Sequence, residues 1–452
     1  MCSSVRLAAP DAHFVCVAVH GVMRSQPHSR MPPEMKIVKG DAHASQIGPL
    51  SRTNPTWKNW LWFAVVAIAL FMVSVTLLLV LGTLRDPTHT IYGMLSSAVW
   101  TTFGPHFVVL SIVALMLGIA GQWFGQGRLA AFTVMVALGA AFGSTAITVR
   151  IVSAASAAGG SVNPVYGLWL RSMNATGPDE TVVFTTVNGQ ALHAAIYKPN
   201  RTKWTAPVML YIHGGGFMTG SFVETDADLR WFADLGWLVF SVEYRLWTRE
   251  TATWNQAPED VACAVAWVQS NAAAYGGEAQ QLSLLGDSAG GNLAINLAYG
   301  SALGPVNSDC GPVKTPAAVV VQYPAVDPLA IYEHGYPVSG FEPRMLVSGY
   351  IGGDPYAFPD RVRAVSSYTY LSDTAPPTLI LAPENDGLVP SWSVFRFANQ
   401  ARIAGVDVEL VRIPFASHIY NQIASNSIGN QARLSITRRY LLERGLGPQG
   451  SQ

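Results

Sequence analysis

Residues 282–300 read LSLLGDSAGGNLAINLAYG, a strand-like apolar run followed at once by a helical one, and the seam between them is Gly286-Asp287-Ser288-Ala289-Gly290. A G-x-S-x-G sequence in that context is the nucleophile elbow of an α/β sheet: a sharp strand-to-helix turn that lifts a serine hydroxyl out at the strand's end. The flanking residues must be small because the serine takes a strained backbone conformation beside a helix N-terminus. A glycine-rich turn carrying an idle serine would look the same over five residues. The decision therefore falls to the rest of the chain.

Working outward, His213-Gly214-Gly215-Gly216-Phe217 directly follows the strand-like run VMLYI at 208–212. A glycine run there lets backbone N–H groups come close to a substrate. The amides of Gly215, Gly216 and Ala289 are the expected donors to the oxyanion of a tetrahedral intermediate. A hydroxyl is a weak nucleophile at neutral pH, so a base and an orienting carboxylate must follow the serine in chain order. His418, in PFASH after the alternating run VDVELVRI, is the one histidine in the last hundred residues and is the expected base. Asp386, after the run TLILA and beside Gly387, is the expected acid, with Glu384 as runner-up, while Asp373 and Asp407 read as surface or capping carboxylates. Catalytic residues are thus Ser288, Asp386 and His418, with His213, Gly214, Gly286, Asp287 and Gly290 as supporting motif positions.

The surrounding pattern agrees with an α/β layout. TVVFTTV and ALHAAIYKP flank Asn188-Gly189, a strong hairpin signal, so the domain opens with an antiparallel pair. VMLYI, WLVFSVEY, LSLLG, AVVVQY, TLILA and VDVELVRI then alternate with helical stretches. Continuous Val, Ile and Leu runs are what strands buried on both faces require, so a mainly parallel sheet flanked by helices is expected.

The N-terminal third has another character. Charged residues make up 12% of the 452 and apolar ones 50%, a balance that points to lipid. Residues 61–81 form an uncharged run that meets the roughly 20 residues needed to cross about 30 Å of hydrocarbon. A second run, 98–120, is interrupted by Pro105 and His106, and a third covers 129–149. Three transmembrane helices are the best count. Arg24, Arg30, Lys36, Lys39, Arg52 and Lys58 precede the first and only Arg85 follows it, which puts the N-terminus in the cytoplasm and the catalytic domain across the membrane. The expected organisation is a disordered tail over 1–55, membrane helices over 56–150, a linker over 151–178 and a catalytic domain over 179–447.

Lys plus Arg and Asp plus Glu both number 28, so no field recruits nucleic acid. The four cysteines, Cys2, Cys16, Cys263 and Cys310, show no metal-binding spacing, and buried free thiols are expected at Cys263 and Cys310 rather than a disulfide. No metal and no cofactor is implied.

HGGGF and GDSAGGNLA, in that order, resemble the hormone-sensitive lipase family of α/β-hydrolase esterases over about residues 180–445. Three spans ahead of such a domain also look like the membrane-bound carboxylesterases of actinobacteria. The resemblance implies a serine carboxylesterase or lipase acting on small-molecule or lipid esters, with His213 supporting the glycine loop. Glu243-Tyr244-Arg245-Leu246 matches the start of the family's YRLAPE segment, and Trp247-Thr248-Arg249 departs from it. Asp260 matches an acidic residue whose expected role is pairing with Arg245. The segment 327–373 reads equally as a partial lid or as a surface connection. An amidase or deacetylase on the same residues, and a catalytically silent membrane binding protein, are the alternatives.

Overall fold

The computed structural model describes residues 57–86, 90–200, 205–338 and 340–449. The tail expected over 1–55, with Cys2 and Cys16, lies outside them. Three helices come first: α1 (Trp57–Gly82), α2 (Ile91–Trp123) and α3 (Gly127–Ala157), each long and apolar enough to cross a membrane. Pro105 and His106 do not interrupt α2, which runs through both. A proline removes one ladder hydrogen bond, and close packing of neighbouring helices offsets that loss. The helices run up, down and up. Ser96 of α2 donates to the Leu79 carbonyl near the end of α1 (2.8 Å), and Gln126 donates to the Asn59 carbonyl at the opposite end (3.0 Å). Small residues, Ala69, Ala114, Ala137 and Ala140, fill the seam with Val73, whereas Ile68, Phe71 and Phe142 face outward.

The stretch expected as a linker starts as the last turns of α3. Residues beyond it are then held against the C-terminal helix and the turn ahead of it: the Ser161 amide donates to Ser435 Oγ (2.9 Å), the Asn163 amide to Gln431 Oε1 (2.7 Å), and Asn426 Nδ2 to the Tyr166 carbonyl (2.7 Å).

From Glu180 the chain builds an eight-stranded sheet. In chain order the elements are β1 (Glu180–Val187), β2 (Gln190–Tyr197), β3 (Ala206–Ile212), α4 (Asp226–Asp234), β4 (Leu238–Val242), α5 (Gln256–Asn271), β5 (Gly277–Asp287), α6 (Ala289–Leu303), the small hairpin β6 (Val306–Ser308) and β7 (Gly311–Val313), β8 (Ala318–Gln322), α7 (Pro328–His334), α8 (Pro343–Ile351), α9 (Pro359–Val365), β9 (Thr378–Pro383), α10 (Ser391–Ile403), β10 (Val408–Ile413) and α11 (Ile428–Glu443). The order across the sheet is β1-β2-β4-β3-β5-β8-β9-β10. The β1–β2 and β2–β4 ladders are antiparallel and the remaining five are parallel. This is the α/β-hydrolase layout that the sequence predicts. Period-two alternation feeds two cores: Val208, Leu210 and Ile212 of β3 join the one that holds α5 and α6, while Met209 and Tyr211 join the one that holds α4 and α11. Ala155, near the end of α3, belongs to the second core, so a membrane-type helix finishes inside the hydrolase domain.

Cys263 on α5 and Cys310 in the β6–β7 turn are joined as a disulfide, which corrects the expectation of free thiols. Their Cα atoms lie 4.8 Å apart. The hairpin of three-residue strands, with no apolar run to announce it, is what carries Cys310 to α5.

Candidate active site

The turn after β5 places Ser288 at φ 52°, ψ −112°, a conformation that a side chain rarely adopts. It is held because its neighbours have no room for anything else. A Cβ on Gly290 would lie 2.1 Å from the Ile212 carbonyl oxygen, and one on Gly286 would lie 2.4 Å from the Gly290 carbonyl oxygen. The Ser288 amide donates to the Gln322 carbonyl of β8 (3.0 Å), tying the turn to the next strand. Beneath it Asp287 is buried, accepting from Tyr211 Oη (3.0 Å) and Gln322 Nε2 (2.6 Å). Burial holds its carboxyl above the usual carboxylate range, and the buried guanidinium of Arg433 together with these two donors pulls it back.

His418 arrives from the loop after β10. The Ser288 hydroxyl donates to His418 Nε2 (3.0 Å), and His418 Nδ1 donates to Asp386 Oδ2 (2.7 Å). All three side chains are buried. Asp386 is itself oriented: the Val389 amide donates to its Oδ1 (3.0 Å), and its own amide donates to Ser391 Oγ (3.0 Å). The structure thus brings together the three residues singled out from the sequence, and leaves the runner-up Glu384 exposed. Asp407 pairs with Arg444 at the surface (2.8 Å). Tyr323, which the sequence does not mark, packs its ring on the His418 imidazole with centroids 4.5 Å apart.

The glycine loop lies alongside. Gly216 and Ala289 line one cavity with Ser288, and Gly214 packs where a Cβ would lie 3.4 Å from that of Ser288. Gly215 and Gly216 have φ 105° and 61°. Gly215 forms the turn, its carbonyl accepting from the amides of Met218 (3.1 Å) and Thr219 (3.0 Å). His213 is buried beneath the loop, donating from Nδ1 to the Gly214 carbonyl (2.7 Å) and stacked on Tyr244 at 4.4 Å. Burial pushes its imidazole down to about 4, so it is neutral and structural. Tyr244 Oη donates to the His213 carbonyl (3.0 Å).

The cavity is walled mainly by apolar side chains, among them Ala325, Ile331, Leu346, Leu388 and Val389. Ile331 comes from α7 and Leu346 from α8, so the first half of the segment 327–373 contributes part of the cavity wall beside the serine. Phe217 and Tyr350 stack at 3.6 Å and anchor α8 to the glycine loop.

A family model, BD-FAE, matches residues 194–400. The chain is 31% identical to a probable carboxylic ester hydrolase, LipM, of Mycobacterium tuberculosis, over 49% of this chain and 51% of that protein, so it spans about half the length of that relative. It is 30% identical to an ethyl acetate hydrolase of Pseudomonas putida over 53% of this chain and 75% of that protein. The chain belongs to the hormone-sensitive-lipase type of α/β-hydrolase esterases. The apo form of Thermogutta terrifontis esterase 2 shares the fold of this hydrolase family with the chain, with a TM-score of 0.50 and 24% identity over 60% of this chain and 96% of that one.

The departure from the family's YRLAPE segment now has a physical account. Trp247 Nε1 donates to the Gly216 carbonyl (3.1 Å), and its amide donates to the Phe217 carbonyl (2.8 Å). Trp247 therefore props the glycine loop through the Gly216 and Phe217 carbonyls. Its partner across the interface is Gly349 of α8, where a Cβ would lie 2.6 Å from the ring. Arg245 forks onto Asp260, with Nη2 to Oδ1 at 2.7 Å and Nε to Oδ2 at 2.8 Å, which is the expected pairing. The sequence flags Trp247 only as a departure from a family segment and does not mark Tyr323, because each acts on a segment distant along the chain.

Proposed function

We propose that the protein is a membrane-anchored serine carboxylesterase or lipase that cleaves carboxylic esters through an acyl-enzyme. The observation that carries this is the continuous hydrogen-bonded series Ser288–His418–Asp386 opening on an apolar cavity beside the glycine loop. In this mechanism His418 takes the Ser288 proton as the oxygen attacks the ester carbonyl. The resulting oxyanion accepts hydrogen bonds from the amides of Gly215, Gly216 and Ala289, each such donor contributing about 3 kcal/mol to the transition state. Protonated His418, its tautomer fixed by Asp386, gives the proton to the departing alcohol oxygen as the C–O bond breaks. Water then attacks the acyl-enzyme with the same histidine as base, releasing the acid and restoring the serine. No cofactor enters. The apolar cavity suits lipid or short- to medium-chain acyl esters.

The proposed topology is three crossings with a cytoplasmic N-terminus and the catalytic domain, from about residue 179, on the far side. Trp57, Trp60 and Trp123, exposed at the end of the bundle away from the hydrolase domain, fit an interfacial aromatic belt. The Cys263–Cys310 bond favours an oxidising compartment for the domain.

The test is hydrolysis of p-nitrophenyl esters of increasing acyl length by the detergent-solubilised protein beside Ser288→Ala. Turnover that the mutant loses by about 10⁵-fold or more with an unchanged melting curve supports the serine mechanism. Background rates in the wild type, with no fluorophosphonate labelling of Ser288, would overturn it.

A further inference from the structure

The loop that carries His418 is strained on both sides of that residue. Phe415 has φ 56° and Ile419 has φ 55°, and a bulky or β-branched residue in the left-handed region persists only where its surroundings hold it. Those surroundings include the first part of α2. Thr101 Oγ1 donates to the Tyr420 carbonyl across 3.0 Å, both residues being buried and 319 positions apart. Phe415 packs against a cluster of Trp100 from α2, Ile147 and Ile151 from α3, and Ile428 from α11. The approach is close because Gly429 stands between: a Cβ there would lie 2.8 Å from Thr101 Cβ and 2.9 Å from the Tyr420 carbonyl oxygen.

A hydroxyl in an apolar helix ordinarily bonds back to the carbonyl four residues earlier. Thr76, Ser111 and Thr133 do so in these helices, donating to Met72, Phe107 and Leu129. Thr101 instead crosses to the hydrolase domain. Pro105, four residues on, supplies no N–H to the Thr101 carbonyl, so the helix ladder is also interrupted at this point of contact. Tyr420 in turn packs edge-on to Tyr323 at 5.8 Å, and Tyr323 lies on the His418 ring at 4.5 Å. Strain, hydrogen bond and aromatic contacts therefore converge on one imidazole.

We infer that Thr101 is a positioning residue for His418, so that membrane helix α2 sets the geometry of the active site besides anchoring it. This rests on the reading of His418 as the base. A histidine displaced by a fraction of an ångström loses turnover, while ground-state binding in the cavity of α7 and α8 is untouched.

Thr101→Val keeps the shape and removes the hydroxyl, and Thr101→Ser keeps the hydroxyl. Both are compared with wild type as full-length, detergent-solubilised protein, by p-nitrophenyl butyrate kinetics and by hydrogen–deuterium exchange of peptides covering residues 414–424 and the strands β3, β5 and β9. The expected result for Thr101→Val is a kcat lower by about 10- to 100-fold with KM within about twofold, and faster exchange confined to the 414–424 loop. Thr101→Ser should restore both to near wild type. Unchanged kcat and unchanged loop exchange in Thr101→Val would overturn the inference. So would a loss of protection spread over the strands, or failure of serine to rescue, since either marks a general packing role. Should wild type itself neither turn over ester nor label with fluorophosphonate, the esterase reading fails on its own, and loop exchange alone still judges whether Thr101 holds the histidine loop.

Discussion

Two bends of the chain meet at the candidate site, and they are held in opposite ways. The bend at Ser288 is enclosed by its own neighbours: glycines at 286 and 290, the Ile212 carbonyl at the next strand, and an amide bond to β8. The bend at His418 has no glycine within it and two bulky residues at positive φ, and it is held from outside by Thr101 of α2, by the cluster around Trp100, and by Tyr323. Unusual backbone is thus secured locally in one case and by distant segments in the other. The first kind can be written as a five-residue motif. The second cannot.

That contrast is open to attack on both sides. The largest effect is expected from Gly290→Ala, because the new methyl would sit 2.1 Å from a backbone oxygen that has no room to retreat. Melting curves should report a loss of about 3–5 kcal/mol, and ester turnover should fall by at least about 100-fold. A well-folded, active alanine variant would mean that the serine turn is less enclosed than its geometry implies.

Acid should weaken the same side by an intermediate amount. The His213 imidazole, held at about 4 when folded, returns to about 6.5 when the chain unfolds, so the unfolded chain binds the extra proton between those values. Stability is complete above about pH 6.5 and declines as pH falls toward 4, by up to about 3 kcal/mol. Thermal unfolding from pH 7.5 to about 4.5 should reveal the slope, and His213→Asn should flatten it. An equal slope in the variant would assign the acid sensitivity to another group.

The smallest effect is expected from Ile419→Gly. Glycine removes about 1–2 kcal/mol of left-handed strain and loses some side-chain contact, so the melting temperature should move by no more than a few degrees. Turnover should fall only several-fold, because the external braces remain. A collapse of stability on this change would mean that the isoleucine side chain, and not its surroundings, holds the loop.

Legibility in the sequence followed the same division. The sheet could be read because strands buried on both faces must be continuous apolar runs, as in VMLYI and TLILA. The elbow and the glycine loop could be read because their steric demands fall on consecutive residues. Asp386 and His418 could be read from chain order once the serine was in place. Trp247, Tyr323 and Thr101 could not, since each exerts its effect across tens to hundreds of residues and has an ordinary local environment. The Cys263–Cys310 pair was misjudged for a related reason: 47 residues of separation conceal that a short hairpin folds back on α5. Pro105 was over-weighted, because helix-breaking tendencies measured in isolation yield to packing between neighbouring helices.

The way α3 ends has a practical side. Ala155 is part of the hydrolase core, and the segment after it is stitched to α11 through Ser435 and Gln431 and to the turn ahead of α11 through Asn426. A secreted, water-soluble version made by trimming everything before residue 179 would uncover Ile428 and Ile436, leaving a greasy scar on α11. The apolar helices and the hydrolase domain are therefore poor candidates for exchange as interchangeable parts, whether by recombination between genes or on the bench. A transplant that works should carry α3 and residues 158–178 with the domain.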